Sequence, residues 1–432
     1  MRTSYRVLFA ASTFFANAAA CGGNTEGAPA LAPDPGTDAG GANVDAAAPD
    51  AATGDAGARA DAKPDAAPMG PFTRPPFPQL VSSGGPTLAH PKVVPIFFPG
   101  YAWTTQVTDW LSKLGATPYW GAATSEYGVG ALVMGTPVLL TEQAPTATDS
   151  QTIQGWLGEK LNGTHPEFGT PDSETIYMIF YPLSTQIDGA GGSCTSYGGY
   201  HEDIAVNGKP IPYAVLPECP MFGPVNGLDM VTGAGSHELI EAATDPYPSS
   251  NAAYSGLDDP SAALEIFLGG NAENGDMCST DGSAFFKPTG GDYVIQRGWS
   301  NASAIAGKDP CQPLNPMNEP YFAATPRLPD SATVLGVKAS AVKIAVGESA
   351  TIDVALWSLA PTSMPWTVDA KQPSRVKTPQ LEFTWDKTTG KDGDTLHLTI
   401  KALAKGTRGY ESFAIKSSIG NQKTYWAGLV VQ

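Results

Sequence analysis

The sequence predicts a mixed α/β (α+β) domain of zincin-like type, then a C-terminal all-β immunoglobulin-like sandwich, with a disordered N-terminal linker ahead of both. Three observations carry this. Between residues 71 and 328, apolar runs of strand length alternate with amphipathic helical stretches. Beyond Pro329 the pattern changes to alternation of apolar and polar residues. Before residue 71 lies an Ala-, Asp-, Pro- and Gly-rich stretch without an aromatic residue. At 432 residues the chain exceeds what one hydrophobic core supports, so more than one unit is expected. A formal charge of −17 argues against nucleic acid or an anionic membrane surface as partner.

Residues 1–20 have the layout of an export signal: Arg2 and Arg6, a mostly apolar run from Val7 to Ala16, then Asn17 and three alanines. Two processing routes fit the end, Ala20-Cys21-Gly22. Cleavage after Ala20 gives a secreted protein; attachment of lipid to Cys21 gives a membrane-anchored one, as in bacterial lipoproteins, whose signal this resembles. The second route is preferred, because a free cysteine heading a disordered tail otherwise has no purpose. From Gly22 to Gly70 the chain holds eight acidic and two basic residues. Such a segment buries too little apolar surface to offset chain entropy, so residues 21–70 are read as a disordered tether.

Within residues 71–328, Lys92–Phe98 reads as a strand and Thr104–Leu114 as a helix with Val107, Trp110, Leu111 and Leu114 on one face. A strand pair follows in Ala131–Leu140. Asp149–Leu161 is a second amphipathic helix, through Ile153, Trp156, Leu157 and Leu161. Glu174–Tyr181 is the clearest buried strand, and Ile211–Leu216 and Tyr293–Gln296 are strand-like. In residues 329–432, Ile352, Val354 and Leu356, then Leu381, Phe383 and Trp385, then Leu396, Leu398 and Ile400 alternate with more polar neighbours. The immunoglobulin cysteine pair is absent, so pattern alone supports the sandwich. Four cysteines remain after Cys21: Cys194, Cys219, Cys278 and Cys311. An even number in an exported chain favours two disulfides, and sequence proximity favours Cys194–Cys219 and Cys278–Cys311 among three pairings.

Residues 233–246 read as a helix that stops at Asp245-Pro246, since proline disfavours helical geometry in the residue before it. His237 and Glu241, four apart, share a face; Glu238 projects beside them. This is the layout of a His-Glu-x-x-His zinc helix with a carboxylate in place of the second histidine. Gly233, Ala234, Gly235 and Ser236 permit close approach to its N-terminal half. A catalytic zinc site needs a third protein ligand and an open position. Asp276 or Glu273 supplies the ligand, braced by Cys278, and His201 in a Gly-Tyr-His turn is another candidate. Glu238 then serves as general base. The carboxylate ligand also makes a harder cation such as calcium an alternative to Zn2+. Without metal, the same His–Glu spacing is an ordinary helix ion pair. His90, His165 and His397 have no partner motif.

The blocks Ser236–Pro246, Glu273–Cys278 and Val294–Asn301, with Gly199–His201 and Tyr213–Val215, resemble a set of uncharacterised secreted bacterial proteins distantly similar to the plant phosphate-induced, or exordium-like, family. The resemblance covers about Pro86 to Leu314. It implies an extracellular location and the fold of that family; the retained His237, Glu238 and Glu241 resemble a zincin variant. The leading expectation is an exported, lipid-anchored metal-dependent hydrolase of peptidase type. The alternative, from another class, is a non-catalytic envelope protein whose α/β domain binds a cell-wall glycan. Replacing Cys21 with serine should release the protein from the membrane fraction, and a wild type already fully soluble on fractionation contradicts the lipid anchor.

Overall fold

The computed structural model describes residues 70–432 except 189–191, 271, 280–282, 313, 315–316, 374–375 and 407. The expected signal peptide, Cys21 and nearly all of the tether lie outside the described residues. Successive strand residues face opposite sides of a sheet, and the α/β domain buries both sides. Its sheet is built on β1 (Lys92–Phe97), with short edge strands β2 (Val133–Met134) and β3 (Val138–Leu139) beside it. Next come β4 (Thr175–Tyr181), β6 (Lys209–Pro217) and β5 (Tyr200–Val206), in that spatial order. All pairings are parallel except β5 with β6, which form an antiparallel hairpin. Every residue of β4 is buried, which explains its unbroken apolar reading.

Helices α1 (Thr104–Leu114), α2 (Pro118–Thr124) and α4 (Gly227–Thr244) cover one face, against Ile176, Met178 and Phe180. Helix α3 (Ser150–Lys160) covers the other, against Tyr177, Ile179 and Tyr181. The parity of β4 thus separates two cores. Asp149 caps α3, its carboxylate accepting the Thr152 N–H at 2.7 Å.

Two features differ from the sequence reading. First, α4 begins at Gly227, so Gly233 and Gly235 sit inside the helix rather than ahead of it. Glycine there costs roughly 1 kcal/mol of helix propensity relative to alanine. Packing explains the choice: a Cβ on Gly233 would meet the Phe285 ring at 2.7 Å, and one on Gly235 would meet Trp110 at 2.7 Å. Second, His201 lies in strand β5, not in a turn. Asn207 and Gly208, at φ 50° and 76°, make the tight turn that pairs β5 with β6. Tyr200, Ile204 and Val206 belong to the α3 core, so alternation turns His201 toward α4.

The C-terminal region is a two-sheet β-sandwich. One sheet has the order Phe322–Arg327, Ser349–Ser358, Thr395–Ala402 and Leu381–Trp385, all antiparallel. The facing sheet has six strands between Asp330 and Val431. Ile352, Val354, Leu356, Leu396, Leu398 and Ile400 share its core. The first strand starts at Phe322, before the alternation becomes visible in sequence, because Pro326 and Pro329 interrupt the pattern. Cys194 pairs with Cys219 and Cys278 with Cys311, the pairing proximity favours. An aromatic joint links the two domains: Phe77 meets Tyr321 at 4.9 Å, Tyr321 meets Trp357 at 5.5 Å, and Trp357 meets Trp426 at 5.7 Å between ring centroids.

Alanine at 235 gains about 1 kcal/mol in helix propensity but overpacks a rigid, buried indole at a cost of about 1–3 kcal/mol. Gly235→Ala should therefore lower the melting temperature, measured by circular dichroism, despite being a better helix former.

Candidate metal centre

Helix α4 is buried along its length from Met230 to Thr244, so its few polar side chains must find partners inside the protein. Ser236 accepts the Gln296 N–H at 2.8 Å and donates to the Gly233 carbonyl. His237, Glu238 and Glu241 are fully buried and point toward β5 and the segment 273–276. There they meet His201, Glu273 and Asp276, each also buried. Asp276 opens the short helix α5 (Asp276–Ser279), which carries Cys278 and its disulfide.

Three devices hold this segment over α4. The Asn274 amide donates to the carbonyls of Ala123 and Trp299, while its oxygen accepts the Trp299 N–H at 3.0 Å. The Asp276 N–H donates to Glu241 Oε1 at 3.0 Å. Gly275 comes so close that a Cβ would lie 2.6 Å from His237 Nδ1 and 2.9 Å from Glu241 Oε1. Only glycine fits there. On the opposite side a Cβ on Gly199 would meet Glu238 Cγ at 2.9 Å.

Gln296, on strand β7 (Ile295–Gln296), sits with its amide nitrogen 2.8 Å from His237 Nδ1 and 2.9 Å from the Gly275 carbonyl. The other ring nitrogen of His237, Nε2, faces the carboxylates: 3.1 Å to Glu241 Oε2, 3.8 Å to Asp276 Oδ1 and 3.9 Å to Glu238 Oε1. His201 Nδ1 lies 3.6 Å from Glu238 Oε2 and 3.6 Å from Glu241 Oε2, and its Nε2 is 3.6 Å from Glu273 Oε1. The three His201 separations exceed hydrogen-bond length. Neither nitrogen of His201 and neither oxygen of Glu238 makes a hydrogen bond. Donor atoms of His237, Glu241 and Asp276 lie within 4.8 Å of one another, and so do those of His201, Glu241 and Glu273.

The electrostatics follow from burial. Desolvation raises the carboxyl pKa of Glu238 above its usual value, against the pull of His237. Burial likewise pushes Glu273 and Asp276 well up; Glu241 adds to the rise at both, after the opposing His201 at Glu273. Glu241 is the exception. Burial opposes its charge, but His237 and His201 outweigh that and hold it at about 2. Burial lowers the His201 pKa, yet Glu273, Glu238 and Glu241 together raise it well above the ordinary value. Buried donors of this kind, with orphaned nitrogens and oxygens converging, fit a divalent cation.

All the sequence-predicted ligands converge: His237, Glu241, Asp276, Glu273 and His201, with Glu238 beside them. Gln296, Gly275 and Asn274 were invisible as functional residues. Glycine and amides carry no motif, and their roles depend on chain segments that meet only in the fold. The Asn207-Gly208 turn is the one signal that marks His201 as strand-borne. A largely apolar cleft between Pro75–Pro78, Ala263–Leu268 and the sandwich touches Met277 and Cys278 but none of the cluster's donor side chains.

The raised carboxyls stabilise the fold in protonated form; that contribution is complete below the unfolded carboxyl range of about 4 and is lost as pH rises through the folded values. His201, also raised, loses its contribution in the same direction. Glu241 acts oppositely, losing its contribution only as pH falls toward about 2. With a chelator present, the melting temperature should fall from pH 5 to pH 8; a steady rise over that interval contradicts the assignment of buried, high-pKa carboxyls.

No protein-family model and no curated protein matches the chain. Among solved structures, the chain is similar to the surface layer protein SbsC, domains 1–6, at 19% identity over 26% of this chain, with a TM-score of 0.18. It is similar to the titin I-band fragment I67–I69 at 17% identity over 27% of this chain, with a TM-score of 0.17. The match spans 13% of the SbsC chain and 33% of the titin fragment.

Proposed function

We propose that this is an exported, lipid-anchored protein whose α/β domain is a metal-dependent hydrolase of peptidase type. The observation that carries it is the convergence of the buried His237, Glu241 and Asp276 donor atoms within 4.8 Å, with the Glu238 carboxylate alongside. These three residues hold the ion, Zn2+ in the first instance. When bound, it supplies Lewis-acid polarisation of a carbonyl and lowers the pKa of water. Glu238 is the general base. Its burial-raised pKa brings it closer to neutral pH than an exposed glutamate, which suits it to accept a proton at Oε1 or Oε2 and return it to a leaving group. Gln296 packs against His237 Nδ1 and sets the ring so that Nε2 faces the ligand carboxylates; an ion on Nε2 leaves the ring proton on Nδ1, which requires the Gln296 amide oxygen to turn toward it. The sandwich, of immunoglobulin-like type in this reading, carries no part of the chemistry.

A second reading has its own support. Glu238 and His237 are 0% exposed, which suits a structural metal centre in a non-catalytic, glycan-binding envelope protein. Purified full-length protein separates the two. His237→Ala should lose bound zinc by elemental analysis. Glu238→Gln should keep it while hydrolysis of a peptide or ester panel drops by about 10²–10⁴-fold. If the wild type binds polysaccharide, hydrolyses nothing in the panel and is unaffected by Glu238→Gln, the non-catalytic reading stands instead.

A further inference from the structure

We infer that the cluster is built for two divalent cations sharing Glu241, not one. This rests on the metal-centre reading above and extends it to His201 and Glu273. The second donor set, His201, Glu241 and Glu273, needs nothing from the first except Glu241. Its histidine points to a ligand. His201 is 4% exposed, and both ring nitrogens face carboxylate oxygens at 3.6 Å without a hydrogen bond to either side. A hydrogen-bonded pair would close to about 2.8 Å. Two donors each about 2.1 Å from a tetrahedral ion stand about 3.4 Å apart. His201 Nδ1 and Glu241 Oε2, at 3.6 Å, are near that spacing, and the Glu273 donor lies within 4.8 Å of the other two in the set.

The shared atom can be named. Glu241 Oε1 is occupied by the Asp276 N–H. Oε2 faces both imidazoles, 3.1 Å from His237 Nε2 and 3.6 Å from His201 Nδ1, so a cation on each side shares this oxygen. Charge favours the pair as well. Glu238, Glu241, Glu273 and Asp276 are all buried, and their ion pairs among the described residues run only to histidine. Asp245, also buried, adds to the negative charge acting on Glu273, and a second dication offsets more of this buried charge than one ion does.

The test is a metal count on full-length protein stripped with chelator, reloaded with Zn2+ alone and read by native mass spectrometry. The wild type should hold two equivalents, Glu273→Gln one, Asp276→Asn one, and Glu241→Gln less than one. The wild-type count needs no variant to fold, and circular dichroism checks the variants. A wild type holding one equivalent, removed by Asp276→Asn and kept in Glu273→Gln, overturns the second ion and leaves the first reading intact. Zero equivalents overturns both. Loading with Mn2+ gives an independent readout: an oxygen-bridged pair is exchange-coupled, and two uncoupled ions by electron paramagnetic resonance overturn the sharing of Glu241.

Discussion

The burial of Glu238, Glu241, Glu273 and Asp276 around two histidines is the constraint on which the α/β domain depends. Ionised carboxylates out of water are tolerated only when paired or bound to a cation. The surrounding structure is arranged to keep them there and not to let them relax toward solvent. Helix α4 is enclosed on all sides, with glycine at 233 and 235 letting rings press against its backbone. Asn274, Gly275 and the Cys278–Cys311 disulfide fix the segment that closes the cluster. Each of these positions is explained by closeness of approach, not by surface exposure.

Much of this was legible in the sequence, for reasons that can be stated residue by residue. The helical spacing of His237 and Glu241, the acids ahead of Cys278 and the buried run of β4 are local patterns, and local patterns survive folding. The disulfides follow from proximity. His201 reaches the cluster from a strand and not from the turn its Gly-Tyr-His setting suggests, because Tyr200–Val206 mixes polar and apolar residues at an edge where one face is only partly covered. Gln296 shows why such reading stops where it does. Its amide acts on a histidine 59 residues away, and nothing in the intervening sequence records that meeting. The start of α4 is hidden for a related reason: two glycines look like a helix boundary until the rings packed on them are known.

The sandwich bears on the centre through packing, not through ligands. Met277, next to Asp276, is buried in the same cluster as Phe77, Tyr321 and Trp357, and the disulfide lies within it. The aromatic joint therefore backs the outer side of the segment whose inner side carries the donor groups. The strand that begins the sandwich at Phe322 follows Cys311 closely, which keeps the tie between the domains short.

The cluster's residues are scattered along the chain, at 201, 237–241, 273–276 and 296, on a sheet edge, a central helix, a braced loop and a short strand. No single segment holds a working subset with its supports. Full desolvation of the carboxylates therefore requires all of these pieces to be docked together. Neither disulfide spans the stretch between Cys219 and Cys278, so a proteolytic nick there leaves the donor segments on two pieces that no described disulfide joins. The integrity of the centre is in effect a report on the wholeness of the domain.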